Sequence, residues 1–77
     1  MNLFGEKLKM LRKQKGITLK DLAVQLGFNS HSYFSELESG KKKPTVDAVL
    51  SVARFFQVST DYLLKDEITI NDSNTEN

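Results

Sequence analysis

The sequence predicts an all-α fold, a compact bundle of five helices. Three observations predict it. Apolar residues recur at spacings of three and four along most of the chain. Each periodic stretch opens on a capping residue (Asn2, Thr18, Asn29 or Ser30, Thr45, Ser59), and three close on a glycine (Gly16, Gly27, Gly40). No apolar–polar alternation of the strand type occurs before Ile68. At 77 residues the chain is one small domain with a modest core, and without cysteine it has no disulfide or zinc staple. Its stability has to come from helix packing, to which association with a second copy can add.

Asn2 can cap a first helix carrying Phe4, Leu8 and Leu11, which Gly16 ends and on which Ile17 can fold back. A second helix spans about 19–26. Thr18 caps it, Asp21 closes a capping box, and Leu19, Leu22, Ala23 and Leu26 form its apolar stripe. A third helix spans about 31–39, with Phe34 and Leu37 inward and Gly40 as terminator. Pro44 and the cap Thr45 precede a fourth helix, whose Val46, Val49, Leu50, Ala53 and Phe56 read as its inward stripe. Ser59 caps a short fifth helix with Tyr62, Leu63 and Leu64, and Asp61 sits in its first turn, where the helix dipole favours an acid.

Helices two and three are too close in sequence to lie side by side, so they should cross steeply. That arrangement is a helix-turn-helix, whose second helix can enter a DNA major groove. Charge agrees. Residues 1–65 hold eleven bases and six acids, a balance of +5, whereas residues 66–77 hold four acids and no base. A basic body with an acidic tail suits an anionic partner for the body alone. The same pattern would also serve as a charged, solvated surface.

The landmarks KGIT at 15–18, LA at 22–23, LG at 26–27, LESGKKKP at 37–44 and VSTDYLL at 58–64 stand in order along most of the chain. Together they resemble the DNA-binding domain of the phage repressor and Cro group, the Xre or lambda-repressor-like family. The resemblance implies a five-helix fold, and the charge pattern divides the chain into a domain over 1–65 and an acidic tail over 66–77 that can act as a dimerisation arm. The resemblance also implies a homodimeric transcriptional regulator, usually a repressor, on a double-stranded DNA operator.

Helix three is then the recognition helix. Ser30, His31, Ser32, Ser35 and Glu36 are its base-contact candidates, and Ser39 lies further along. Small hydroxylic side chains allow close approach to base edges, and Glu36 can accept from a cytosine amino group. Thr18, Asn29, Tyr33, Lys41, Lys42 and Lys43 are the phosphate candidates, supplying affinity without sequence information. The resemblance also pairs Arg12 with Glu38, tying helix one to the end of helix three.

The chain departs from the family twice. One extra residue lies between Gly27 and Glu38, so Asn29 or Ser30 widens the turn and either can cap helix three. Leu19 replaces a glutamine that reaches a phosphate or braces the recognition helix in many members. Tyr33 can substitute for it, or pack with its hydroxyl at the surface.

Val52, Phe55, Val58, Tyr62 and Leu64 flank the stripes of helices four and five and are dimer candidates; alternatively they complete the core. Ile68 and Ile70 alternate in the strand manner and can pair with a second copy, though the polar end beyond them reads as disordered. A single His, no Cys and no credible carboxylate pair argue against an enzyme, a metal site or a cofactor. No apolar run approaches membrane-spanning length and no secretory leader is evident, so a cytoplasmic protein is expected. The alternative function is a protein–protein module on the same fold, such as an antitoxin or an adaptor docking a regulatory partner through its tail.

Overall fold

A computed structural model describes residues 3–66. Five helices follow in order: α1 (Phe4–Lys15), α2 (Leu19–Gln25), α3 (His31–Ser39), α4 (Val46–Phe56) and α5 (Thr60–Leu64). No strand occurs among the described residues. The anticipated Asn2 cap and the pairing of Ile68 and Ile70 lie outside them.

The caps explain where the helices begin. Thr18 accepts from the Asp21 amide at 3.0 Å while the Asp21 carboxylate accepts from the Thr18 amide, a complete capping box. Thr45 and Ser59 accept from the Ala48 and Tyr62 amides at 3.1 and 2.9 Å. Ser30 is the N-cap of α3 by backbone conformation, without a side-chain hydrogen bond to the helix. The Leu3 amide, at the start of α1, donates to the carboxylate of Asp66 at 3.0 Å. Asp66, the first residue of the acidic tail, is thereby joined to the start of α1.

The core joins Phe4, Leu8 and Leu11 of α1 to Leu22 and Ala23 of α2, Phe34 and Leu37 of α3, and the buried faces of α4 and α5. Gly5 lets α1 and α3 approach backbone to backbone. A Cβ there would press into the Leu37 carbonyl oxygen and come within 2.7 Å of that of Glu38. The α1 stripe also contains Lys7, which is fully buried. Its ammonium donates to the Tyr62 carbonyl and, at 2.9 Å, to that of Lys65, and it lies 4.7 Å from the centre of the Tyr62 ring. A cation at the C-terminal carbonyls of α5 complements the helix dipole. The same burial pushes the Tyr62 phenol above its ordinary pKa.

Helix α4 is rotated from the expected stripe. Ala48, Val49, Val52 and Ala53 are buried, whereas Val46 is 74% exposed and Leu50 39%. Eight of its eleven residues are apolar, so periodicity alone fits more than one face. The small side chains of Ala48 and Ala53 lie on the buried face. Two dimer candidates are corrected accordingly. Val52 and Tyr62 are spent on the chain's own core, at 0% and 1% exposure, and offer nothing to a second copy. Phe55, Val58 and Leu64 are only half-buried.

Candidate nucleic-acid interface

Helix α3 is held against α1 and α2 by its buried Phe34 and Leu37. Its remaining positions divide by the helical period. His31, Ser32, Ser35 and Ser39 are exposed, at i, i+1, i+4 and i+8, and make one outward face of small polar side chains. Asn29 and Ser30 are exposed in the turn that leads into it. Ser39 hydroxyl donates to the Glu36 carbonyl at 3.1 Å, a local bond that leaves its neighbours on the face open.

The orientation of this face is fixed from behind. Arg12 Nε donates to Glu38 Oε2 at 2.7 Å and an Nη to Oε1 at 3.2 Å, a two-point contact between α1 and α3. The other Nη donates to the Ile17 carbonyl at 2.9 Å, so the same guanidinium also pins the α1–α2 connection. The hydrogen bonds and charge of Glu38 hold Arg12 above its ordinary pKa, against the lowering effect of burial. Lys9, Leu19, Ser35 and Ser39 line a shallow cleft beside this pair. Leu19 is packed against the core and presents no polar group there.

The turn into α3 is stabilised by aromatic contacts. Phe28 stacks on Tyr33, with ring centres 5.8 Å apart, and meets Phe34 edge-on at 5.0 Å. Phe28 has a sequence signal of its own: a large aromatic directly after the helix-ending Gly27 marks an inward turn. Tyr33 is half-buried, and its hydroxyl accepts from the Thr45 amide at 3.1 Å.

Basic groups flank the face. Lys41, Lys42 and Lys43 are exposed in the loop after α3. Lys42 lies 3.4 Å from the Glu36 carboxylate, so this acid beside the outward face is partly neutralised by a candidate phosphate contact. Thr18 is exposed at the start of α2, but its amide is already engaged by Asp21, which leaves an acid at that helix end. Among the described residues no His, Cys, Asp and Glu cluster could hold a metal ion, and no helix is long and apolar enough to cross a membrane.

Residues 8–63 match the model of a family described as helix-turn-helix. Among curated proteins, the transcriptional activator BcrR of Enterococcus faecalis is 40% identical over 74 residues, covering 96% of this chain and 36% of BcrR. The transcriptional regulator ImmR of Bacillus subtilis is 36% identical over 66 residues, covering 84% of this chain and 51% of ImmR. The chain thus spans between about a third and about half of the length of these relatives. The N-terminal DNA-binding domain of SinR from Bacillus subtilis superposes with a TM-score of 0.79 at 28% identity, over 90% of this chain and 100% of that one. The P22 c2 repressor, solved in complex with a synthetic operator, gives 0.76 at 31% identity, over 84% of this chain and 97% of that one.

Proposed function

The chain belongs to the helix-turn-helix family, and on that premise we propose that it is a sequence-specific, double-stranded DNA-binding transcriptional regulator acting as a homodimeric repressor. The observation that carries the reading is the outward face of α3. It is small and polar, locked in orientation by Arg12 and Glu38, and flanked by the lysine loop. His31, Ser32 and Ser35 read base edges, with Asn29 and Ser30 at the entry to the groove. Lys41, Lys42 and Lys43 hold phosphates, and Glu36 balances Lys42 or accepts from a cytosine.

Repression is the sign the family resemblance favours, and the operator-bound P22 c2 repressor shares the fold at a TM-score of 0.76 and 31% identity. Support for a second copy comes from an apolar groove that one chain leaves open to water, lined by Pro44, Val46, Leu50, Thr60 and Leu64. Two copies would set their recognition helices about one DNA turn, ~34 Å, apart and read an inverted repeat. A DNA-binding regulator of this kind works in the cytoplasm.

Selection from randomised duplex DNA tests the reading. Recovery of an inverted repeat with half-sites about one turn apart is the expected result. Recovery of no motif, with only salt-sensitive bulk affinity, would leave the protein–protein alternative, an adaptor or antitoxin, as the better account.

A further inference from the structure

Helices α2 and α4 begin with the same threonine cap but are closed differently. At α2 the third helical residue is Asp21, whose carboxylate takes the amide of the cap residue. At α4 the equivalent residue is Ala48, fully buried and without an acceptor. The Thr45 amide is instead taken by the hydroxyl of Tyr33, a residue of α3. The recognition helix thus supplies the missing half of the next helix's cap.

The consequence falls on the loop between them. Its near end is fixed to α3 by the Lys41 and Lys42 amides, which donate to the Glu36 carbonyl at 2.9 and 3.3 Å. Pro44 carries no N–H, so the first backbone donor available to anchor the far end is that of Thr45. The Tyr33 ring is itself immobilised, stacked on Phe28 and edge-on to Phe34 at 5.3 Å. Lys41, Lys42 and Lys43 are therefore strung between two attachment points on the same helix.

We propose that Tyr33 is a positioning residue for DNA binding: through the Thr45 amide it holds the Lys41–Lys43 loop at the depth of the recognition helix, so that base and phosphate contacts are made together. This rests on the DNA-binding reading and goes beyond it by giving Tyr33 a role through the loop instead of as a phosphate ligand. Sequence preference comes from α3 and is unaffected.

The test is Tyr33→Phe in the full chain, titrated with mixed-sequence duplex DNA over a range of salt. Phe keeps the ring contacts and removes only the hydroxyl. Each lysine that no longer reaches a phosphate lowers the slope of log affinity against log salt by about 0.9. The variant should therefore show a slope smaller by about one to two units and affinity about three- to tenfold weaker at low salt. Amide exchange at Thr45 should accelerate while that at Ala48 does not. With all three lysines replaced by Ala, adding Tyr33→Phe should change the slope no further. Parallel salt lines for Tyr33→Phe and the unsubstituted chain would overturn the proposal, whether affinity is unchanged or uniformly lower; the latter marks a direct phosphate contact by the neutral hydroxyl. Absence of salt-dependent binding by the unsubstituted chain would instead overturn the DNA-binding reading, and this inference with it.

Discussion

Replacing Arg12 with Met should destabilise the domain by about 3 kcal/mol, the low end of the cost of stranding one partner of a buried ion pair, because this pair is only part-buried. The structure sets that scale. The side chains of Arg12 and Glu38 are only 13% and 7% exposed, and two hydrogen bonds at 2.7 and 3.2 Å join them. Removing the guanidinium takes both from a carboxylate that water barely reaches, and frees the Ile17 carbonyl from its 2.9 Å bond. A domain of 77 residues has roughly 4–12 kcal/mol in total, so this single change consumes a large share. The melting temperature should fall by more than about 12 °C. The double variant Arg12→Met, Glu38→Leu removes the stranded charge and should recover at least about 1 kcal/mol of the loss. Urea unfolding followed by far-UV circular dichroism measures all members of the cycle. A loss below about 1 kcal/mol for Arg12→Met, or a double variant less stable than the single, would refute the argument that this pair locks α1 to α3.

Other sites give independent tests. Gly5→Ala should cost about 1–3 kcal/mol in the same unfolding assay, because its methyl group meets the Leu37 and Glu38 carbonyls, even though Ala is the better helix former. Gln57 ends α4 in the left-handed region at φ 57°, so Gln57→Gly should raise stability by about 0.5–1 kcal/mol, read as a higher urea midpoint with unchanged slope. The folded state raises the Tyr62 pKa by burying it, and so favours the neutral phenol. That contribution is complete below the unfolded value of about 10 and is lost as pH rises through the raised value, so phenolate absorbance from Tyr62 should appear together with loss of helix.

The elements themselves were legible because their signals are local. Thr18 with Asp21, Thr45 and Ser59 each act within one helical turn, and Gly16, Gly27 and Gly40 all take the left-handed backbone that ends a helix. The relation between helices was legible only in part. The Arg12–Glu38 contact came from the family resemblance and not from spacing, since 26 residues separate the two. The buried face of α4 is not legible in the sequence, because an almost wholly apolar helix has no unique stripe. Lys7 shares the stripe of Phe4, Leu8 and Leu11, yet its partners are carbonyls at the far end of the chain, which no local pattern announces. Within the candidate interface, exposure of His31, Ser32 and Ser35 follows from the helical period. The Tyr33–Thr45 bond depends on how two helices pack, and composition is silent on it.

The central claim is that the outward face of α3 reads DNA sequence. Its most direct test compares motifs selected from randomised duplex by the unsubstituted chain and by His31→Ala, an exposed position whose change should leave folding intact. An inverted repeat is expected from the first, and from the second the same repeat with preference relaxed at one symmetric position per half-site. An identical motif from both proteins, and again from Ser32→Ala and Ser35→Ala, would contradict it.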